Sequence, residues 1–592
     1  MSNFVKAGIF SLLCLSALPA FSARPVDLSQ QDMSFLRSFS SPVALKAGAT
    51  AGVSDLEQVS QSTDFNQTLH VRVKQTYNGY PVWGGDAVLH IPHGQRTESF
   101  RKTLAAAPSA KTTMNGVVYQ DLQTDLQNAP AFIFNQAQAD KAIQEAVAYY
   151  EKNLGAKATI ENKRSKLIVY VDGENKARWA FHVRFYAKPS VSRPAIPSFI
   201  MDAENLKIYR EWDEIKTLDV GSDPKLLDNA TGGGFGGNRK MGQLVYDGLT
   251  GHLSQWDIQR DSAKKLCYLR NHEVTVADYR KGENKIASFS CDKPDPQHNN
   301  VYWDGASDEI NGGYSPNHDA LYAGKIISDM YQAWYKVPPL VDPYNKPLML
   351  TMVTHSPNYD EYGNADPDNA YWDPEKEKMY FGDGETYFYP LTSLGVTAHE
   401  ISHGFTEQHA GLIYDQQSGG MNEAFSDMAA QAAEYYSLGK NSWQIGPEIT
   451  KTSVLPVLRY MENPSDDCKF VRDPEEGKNC SLQNANDYDA YVKRHKDDVS
   501  SRYRIPNVHL SSGIYNRAFY LLSKEKDWDV RKAFDVMVKA NQHYWTSSST
   551  FAQGACGVIS AAMDYGYDLE GVRNAFNGVG IDTRKCKLVA QA

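Results

Sequence analysis

Apolar and polar residues alternate from His70 to Ile91 (HVRVKQTYNGYPVWGGDAVLHI) and break at Asn78-Gly79. That period predicts two β-strands around a tight turn. Over 137–155 (AQADKAIQEAVAYYEKNLG) the spacing becomes that of a helix with one apolar face, and Gly155 supplies its stop. LIVYV and RWAFHVRFYA read as strands again, so residues 60–215 form one or two small α+β units. Residues 24–60 are mixed and predict nothing firm.

The tract LLDNATGGGFGGN, residues 226–238, interrupts this pattern. Gly232, Gly233, Gly234, Gly236 and Gly237 can hold regular structure only against a large loss of backbone freedom. The reading is a flexible boundary open to proteases, with a glycine turn inside one domain as the alternative. Beyond it, β-rich stretches carrying Tyr and Trp run to about residue 390. The remainder is mainly helical, at 393–409, 421–438, 511–523 and 530–542. The expected division is therefore a leader at 1–23, an N-terminal unit at 24–229, a β-rich lobe at 230–390 and a helical lobe at 391–592.

Composition permits this size of core: 42% of the 592 residues are apolar and 22% charged, which excludes wholesale disorder. A net charge of −10 argues against nucleic acid or an anionic membrane surface as partner. Lys6 precedes AGIFSLLCLSALPAF, and Ala20, Ser22 and Ala23 follow, which is the layout of a secretory signal peptide. The apolar run is shorter than the ~20 residues a membrane span needs. Cys14 follows Leu12 and Leu13 rather than small residues, which speaks against a lipidated terminus. Export without a membrane anchor is expected, and with it disulfides among the remaining cysteines. Pairing sequence neighbours closes the shortest loops, giving Cys267–Cys291, Cys468–Cys480 and Cys556–Cys586, although other connectivities satisfy the same count.

The candidate chemistry lies in HEISHGFTEQH, 399–409. Four residues apart on a helix, His399 and His403 face the same way and make a good mount for Zn²⁺. Glu400 lies beside that face, where it could take a proton from a water at the metal. Two completions compete. In HExxHxxGxxH a glycine breaks the helix and the third histidine swings back. His409 has that spacing, but the breaking position is Thr406, which lacks glycine's access to positive φ. The rival is SGGMNEAFSDMAAQAAEYY, 418–436, where Gly419 and Gly420 precede a helical run carrying Glu423 and, one turn later, Asp427. A carboxylate from a second, antiparallel helix completes a His₂Glu set with the fourth position open to water. Asp427 would then accept the other N–H of a ligand histidine. These features favour Glu423 and leave His409 near the helix end.

Residues 399–436 resemble the active-site segment of the thermolysin family of zinc endopeptidases, most closely its Gram-negative elastase branch. NAYWD (369–373), FGDG (381–384), LRYMENP (458–464) and VHLSSGIYNRAFYLL (508–522) match in order, so the resemblance covers 230–586. QTYNGYPVWGGDAVLHI is similar to the family's propeptide. The resemblance implies an α+β architecture, in which an α+β propeptide precedes a two-lobed catalytic domain with a β-rich N-terminal and a helical C-terminal lobe. It implies one catalytic zinc on His399, His403 and Glu423, with Glu400 activating water and Tyr414 and His509 stabilising the oxyanion. Arg459 would contact a substrate carbonyl, and Asn369 with the backbone of Ala370 would bind the substrate as an added strand. Protein and peptide substrates, an apolar residue just after the cut and a monomeric enzyme follow from the same resemblance. The propeptide would fold the catalytic domain and occupy its cleft as an intramolecular inhibitor. It would be cut near Asp228–Thr231, the glycine tract giving the new N-terminus reach.

Three departures qualify the carry-over. The elastase branch places Asp two residues before the oxyanion histidine, and here that residue is Asn507. The branch's calcium positions read Gly395, Gln431, Glu434 and Ser442, which leaves one carboxylate for a cation that takes six to eight oxygens. Six residues follow Cys586, so no C-terminal accessory domain is expected. A secreted binding protein with zinc as a structural staple is the alternative from another class. It would lack Glu400 or the oxyanion donors, and both are present.

Overall fold

A computed structural model describes residues 23–39, 54–92, 112–126, 136–189, 195–213, 227–282, 285–306, 308–342, 345–358, 365–373, 376–451, 456–469, 480–495 and 506–586. The expected leader lies outside them except for its last residue, Ala23, whose N donates to Asp125 at 3.0 Å. Among the described residues no helix is long and apolar enough to cross a membrane. The alternation at 70–91 forms β1 (Leu69–Tyr77) and β2 (Tyr80–Ile91), joined through Asn78 and Gly79 at φ 51° and 83°. Both turn residues occupy the left-handed region that a two-residue hairpin turn demands. β3 (Thr113–Gln120) extends this sheet beside β2, and Arg24–Asp27 and Ser54–Thr63 add strands where the sequence predicted nothing. The helix α1 (Gln136–Leu154) turns Ala139, Ala142 and Ala146 onto Phe181, Phe185 and Phe199 of the following strands, and Gly155 ends it at φ 71°.

The glycine tract differs most from expectation. Asp228–Asn238 is a strand, β4, paired on both sides and in the middle of a six-stranded sheet. Its first residues, Asp228 to Thr231, pair with Arg260 to Asp257, so the expected cleavage point lies on a ladder rather than in a flexible tether. The glycines serve close approach. The helix α2 (Pro316–Tyr335) packs so tightly on β4 that Asp319 accepts from Gly237 N at 2.9 Å, and His318 Nδ1 lies 2.6 Å from Phe235 O. A Cβ on Gly236 would meet Asp319 Oδ1 at 2.1 Å, and one on Gly234 would meet the His318 ring at 2.7 Å. The stretch read as β-rich to 390 also contains α2 itself. That helix packs against strands of two sheets and buries residues on several sides, so no single apolar stripe announces it.

A second sheet of the β-rich lobe has β5 (Ala370–Asp373) at its edge, antiparallel to Lys378–Phe381. The helical lobe follows with α3 (Leu394–Gln408), α4 (Gln416–Leu438), the short α5 (Val508–Ser511), α6 (Val530–His543) and α7 (Phe551–Tyr565). Gly513–Lys524 matches the expected helix at 511–523, whereas α7, Ala485–His495 and Leu569–Gly578 were not legible. Cys267 bonds Cys291 and Cys556 bonds Cys586. Cys480 is disulfide-bonded too, and the Cys468 side chain lies outside the described residues.

The N-terminal sheet docks on the C-terminal end of α6. Arg72 of β1 is half-buried and donates to the carbonyls of Asn541, Gln542 and Trp545 at 3.2, 2.8 and 2.8 Å. It thereby caps a helix of the other lobe, where a cation also suits the helix dipole. Lys539 reaches back to Asp64 at 2.6 Å. The packing of β4 yields one expectation: Gly236→Ala should lower stability by about 1–3 kcal/mol through overpacking. Gly173→Ala, with nothing within 4 Å of the new methyl, should change it little, and denaturant unfolding of the two variants checks this.

Candidate active site

Ser393 caps α3 by accepting from Val396 N, and the helix runs unbroken past Thr406 to Gln408. His399 and His403 therefore project from one face onto α4, which runs antiparallel, as His399 meeting Asp427 and His403 meeting Asn422 require. Gly419 and Gly420 are not a turn before α4 but lie within its first turns. Cβ atoms there would meet Val508 and Ser511 at 2.4 Å, so the glycines admit α5 and bring His509 to the site.

One ligand atom from each of His399, His403 and Glu423 lies within 4.8 Å of the others. The proton on each imidazole is fixed from behind. His399 Nδ1 lies 2.9 Å from Asp427 Oδ1, and a carboxylate can only accept, so the proton sits on Nδ1. Asn422 donates through Nδ2 to Leu412 O, which turns its Oδ1 to His403 Nδ1 at 2.7 Å. Both Nε2 atoms are then bare, 3.1 Å apart. The Glu423 carboxylate lies 3.5 Å from one and 3.4 Å from the other, and its Oε2 is buried without a hydrogen-bond donor. Three lone-pair donors converging with no proton between them repel unless a cation joins them. Imidazole and carboxylate donors in this number suit Zn²⁺.

Asp427 is itself held by Arg459, through Nε at 2.8 Å and Nη2 at 2.6 Å, and by Asn516 at 2.7 Å. Burial alone would raise its pKa, but Arg459 and His399 hold it well below the usual carboxylate range. Glu423 also stays ionised: against burial, the imidazoles of His509, His403 and His399 and the guanidinium of Arg459 bring it to about 2. Glu400 goes the other way. Burial, with Glu423 adding repulsion, pushes it up to about 7 although His399 opposes the shift. Its Oε2 accepts from Trp372 N at 2.9 Å, tying it to the outer edge of β5.

Tyr414 donates to Glu423 Oε1, and its hydroxyl lies 3.5 Å from His509 Nε2. Burial and the Glu423 charge hold the phenol well above its ordinary value. Asn507 caps α5 by accepting from His509 N at 2.9 Å, and the same Oδ1 faces His509 Nδ1 at 2.9 Å. Ala370 opens the edge strand β5, and the carbonyl of Asn369 just before it accepts from Gly382 N and Asn358 Nδ2. His409 stands apart. Its ring stacks on Phe405 at 4.0 Å, its Nδ1 lies 2.8 Å from Phe405 O, and burial pushes it down to about 4. The sequence does not single out Asn422 or Asn516. Asn422's only signal is its place beside Glu423 in MNEAF, and Asn516 comes close only through tertiary packing.

Around Gly395 two carboxylates meet, Glu434 and Glu448, the second outside the four positions read from the sequence; Glu448 Oε1 would lie 3.2 Å from a Cβ on Gly395, and its Oε2 is buried without a hydrogen-bond partner. Glu434 Oε2 accepts from Ser442 N and Oγ at 2.9 Å each. Gln431 donates to Gln444 O at 2.7 Å and accepts from Asn441 at 2.8 Å.

Family models match the chain in three places: the thermolysin metallopeptidase catalytic domain over 246–407, its alpha-helical domain over 410–581, and the fungalysin/thermolysin propeptide motif over 54–99. The chain is 41% identical over 583 residues to a zinc metalloproteinase of Legionella pneumophila, with 96% of each chain covered. It is 42% identical over 575 residues to one of Legionella longbeachae, again with 96% of each covered. With a neutral protease of Vibrio proteolyticus it shares 36% identity over 517 residues, 87% of this chain and 72% of that one. The chain therefore belongs to the thermolysin metallopeptidase family, as a zinc metalloendopeptidase with an N-terminal propeptide.

Proposed function

We propose that this chain is a secreted endopeptidase, made as a self-processing zymogen, in which His399, His403 and Glu423 hold the zinc. The observation that carries this is the meeting of two bare imidazole nitrogens and a buried carboxylate with no proton to share. Zinc held there would act as a Lewis acid on the scissile carbonyl and the attacking water. Glu400, poised near neutrality by its burial, takes the proton from that water and returns it to the leaving nitrogen. Tyr414 and His509 stand side by side on the cleft wall and donate to the oxygen that gains charge. Substrate lies along the outer edge of β5, added as a strand beside Asn369 and Ala370. Arg459 commits two of its nitrogens to Asp427, so it acts first by fixing His399, and a substrate carbonyl would share the same guanidinium. The family resemblance supports an apolar residue after the cut, and the leader at 1–23 supports export.

Residues 24–229 would be removed as the propeptide. Because β4 is a paired strand, the glycine tract anchors the new N-terminus rather than lending it reach. Self-processing has a direct test. Glu400→Ala should bind zinc, accumulate as uncut chain and lose about 10²–10⁴-fold in peptide hydrolysis. Normal maturation of that variant, followed by gel and mass spectrometry, would refute the reading.

Asn507 orients His509 without the charge that would favour imidazolium. A carboxylate there raises the pKa of His509, so the protonated donor survives to higher pH. Asn507→Asp should therefore extend activity on the alkaline side, and an unchanged pH–rate profile would count against the role given to His509. For calcium, we infer that the Gly395 locus holds none tightly, since hydroxyl and amide donors occupy Glu434 and Gln431, and the buried unpartnered carboxylate oxygen there, Glu448 Oε2, is too little for a cation that takes six to eight. Metal analysis of dialysed enzyme should give one zinc per chain and the same calcium content for Glu434→Gln as for the parent.

A further inference from the structure

Three histidines meet where the N-terminal sheet docks on the helical lobe. His70 of β1 and His90 of β2 are 1% and 2% exposed, and His543, the last residue of α6, stacks on His70 with ring centroids 4.2 Å apart. The hydrogens on this chain of contacts follow from its far end. The Tyr544 carbonyl can only accept, so it takes an Asn115 Nδ2 hydrogen. That turns Asn115 Oδ1 to His90 Nε2 at 2.6 Å, where an acceptor requires Nε2–H. Neutral His90 then presents a bare Nδ1 to His70 Nδ1 at 2.7 Å, and His70 donates. A second proton on His90 would set two N–H groups head to head at that distance.

The charges around the pair act the same way. Arg72 on β1 is the cation nearest His90 on the sheet side, and Lys539 of α6 lies beside His70 and His543. Asp64 is 3.3 Å from His70 Nε2 but is paired with Lys539, which also holds Asp564 of α7 at 3.0 Å. An extra proton could enter only at His70 Nε2, beside Asp64, and not at His90. Burial, then His70 and Arg72, push His90 down to about 3, and burial with His70 and Lys539 pushes His543 well below its ordinary value. The lock exists only in the docked state. His70, His90 and Asn115 belong to the N-terminal sheet, whereas Tyr544 belongs to the helical lobe and covers His90 with its ring at 4.6 Å. Once the two part, the Asn115 amide can turn and His90 can take a proton.

We propose that the His70–His90 pair makes docking of the N-terminal unit acid-sensitive, the contact loosening as pH falls through the ordinary histidine range. A free histidine titrates near 6.5, so below that pH the undocked state binds more protons and is favoured, while above it docking has full strength. From pH 7.5 to 5.5 one locked histidine weakens docking about tenfold.

The test uses full-length Glu400→Ala chain, its integrity checked by mass spectrometry at each pH, so that a failure of self-processing is seen apart from a failure of the proposal. Hydrogen exchange, corrected for intrinsic rates, is followed in β2 and in residues 541–549 between pH 7.5 and 5.5. Opening should rise at least about tenfold there, with the strand Leu350–Thr354 as a steady reference. His90→Gln can still donate to Asn115 and accept from His70 but cannot titrate, so it should remove about a tenfold share of the rise and leave only the part that His70 and His543 carry. Protection that ignores pH, or an equal rise in His90→Gln, overturns the proposal. Imidazole NMR of the parent decides independently of that variant: the His90 signal should stay fixed down to pH 5.5 while docked, and a midpoint near 6.5 overturns the proposal.

Discussion

Mutual repulsion of three lone pairs is the constraint on which the catalytic half of this protein turns. Two imidazoles and a carboxylate are pressed together in a buried site, and no proton lies between them. Asp427 and Asn422 impose this from behind by claiming the Nδ1 hydrogens, and Arg459 and Asn516 hold Asp427 in turn. Asp427 is thereby held on both oxygens, so the carboxylate behind His399 is preorganised for a cation at the site. Removing Arg459 would leave Asp427 as an uncompensated buried charge, a loss on the order of 3–5 kcal/mol in comparable sites.

The same economy of contacts joins the N-terminal sheet to the site. Arg72 caps α6, and Asn541 at that cap donates to Thr406 Oγ1 of α3 at 2.9 Å and accepts from Ala410 N. Ser547 follows, its carbonyl accepting from Ile413 N next to Tyr414 and its hydroxyl donating to Asp86 of β2. The N-terminal unit thus grips the segment that ends the helix of His399 and His403 and carries Tyr414. Acid-sensitive docking at His90 would bear on that segment through the same contacts.

Much of the candidate site was legible because its chemistry sits in short, regular spacings. HExxH places two histidines on one face of any helix, and Thr406 in the breaking position directs His409 away, where it stacks on Phe405. The hairpin at Asn78-Gly79 and the helix stop at Gly155 were legible because left-handed backbone is a local demand. Asn422 and Asn516 were not, because an asparagine in a helix carries no signal until its neighbour is known.

What the sequence determined by itself was therefore local: hairpin, amphipathic helices, the two histidines with their base, and the carboxylates one turn apart on the next helix. Tertiary structure alone decided what the glycines are for. In β4 they admit His318 and Asp319 of α2, and in α4 they admit α5 with His509. A glycine read along the chain signals freedom of the backbone. Read in the fold, it marks the places where another element comes too close for a Cβ, and that distance is set by partners about 80 to 90 residues away, too far for any local pattern to encode.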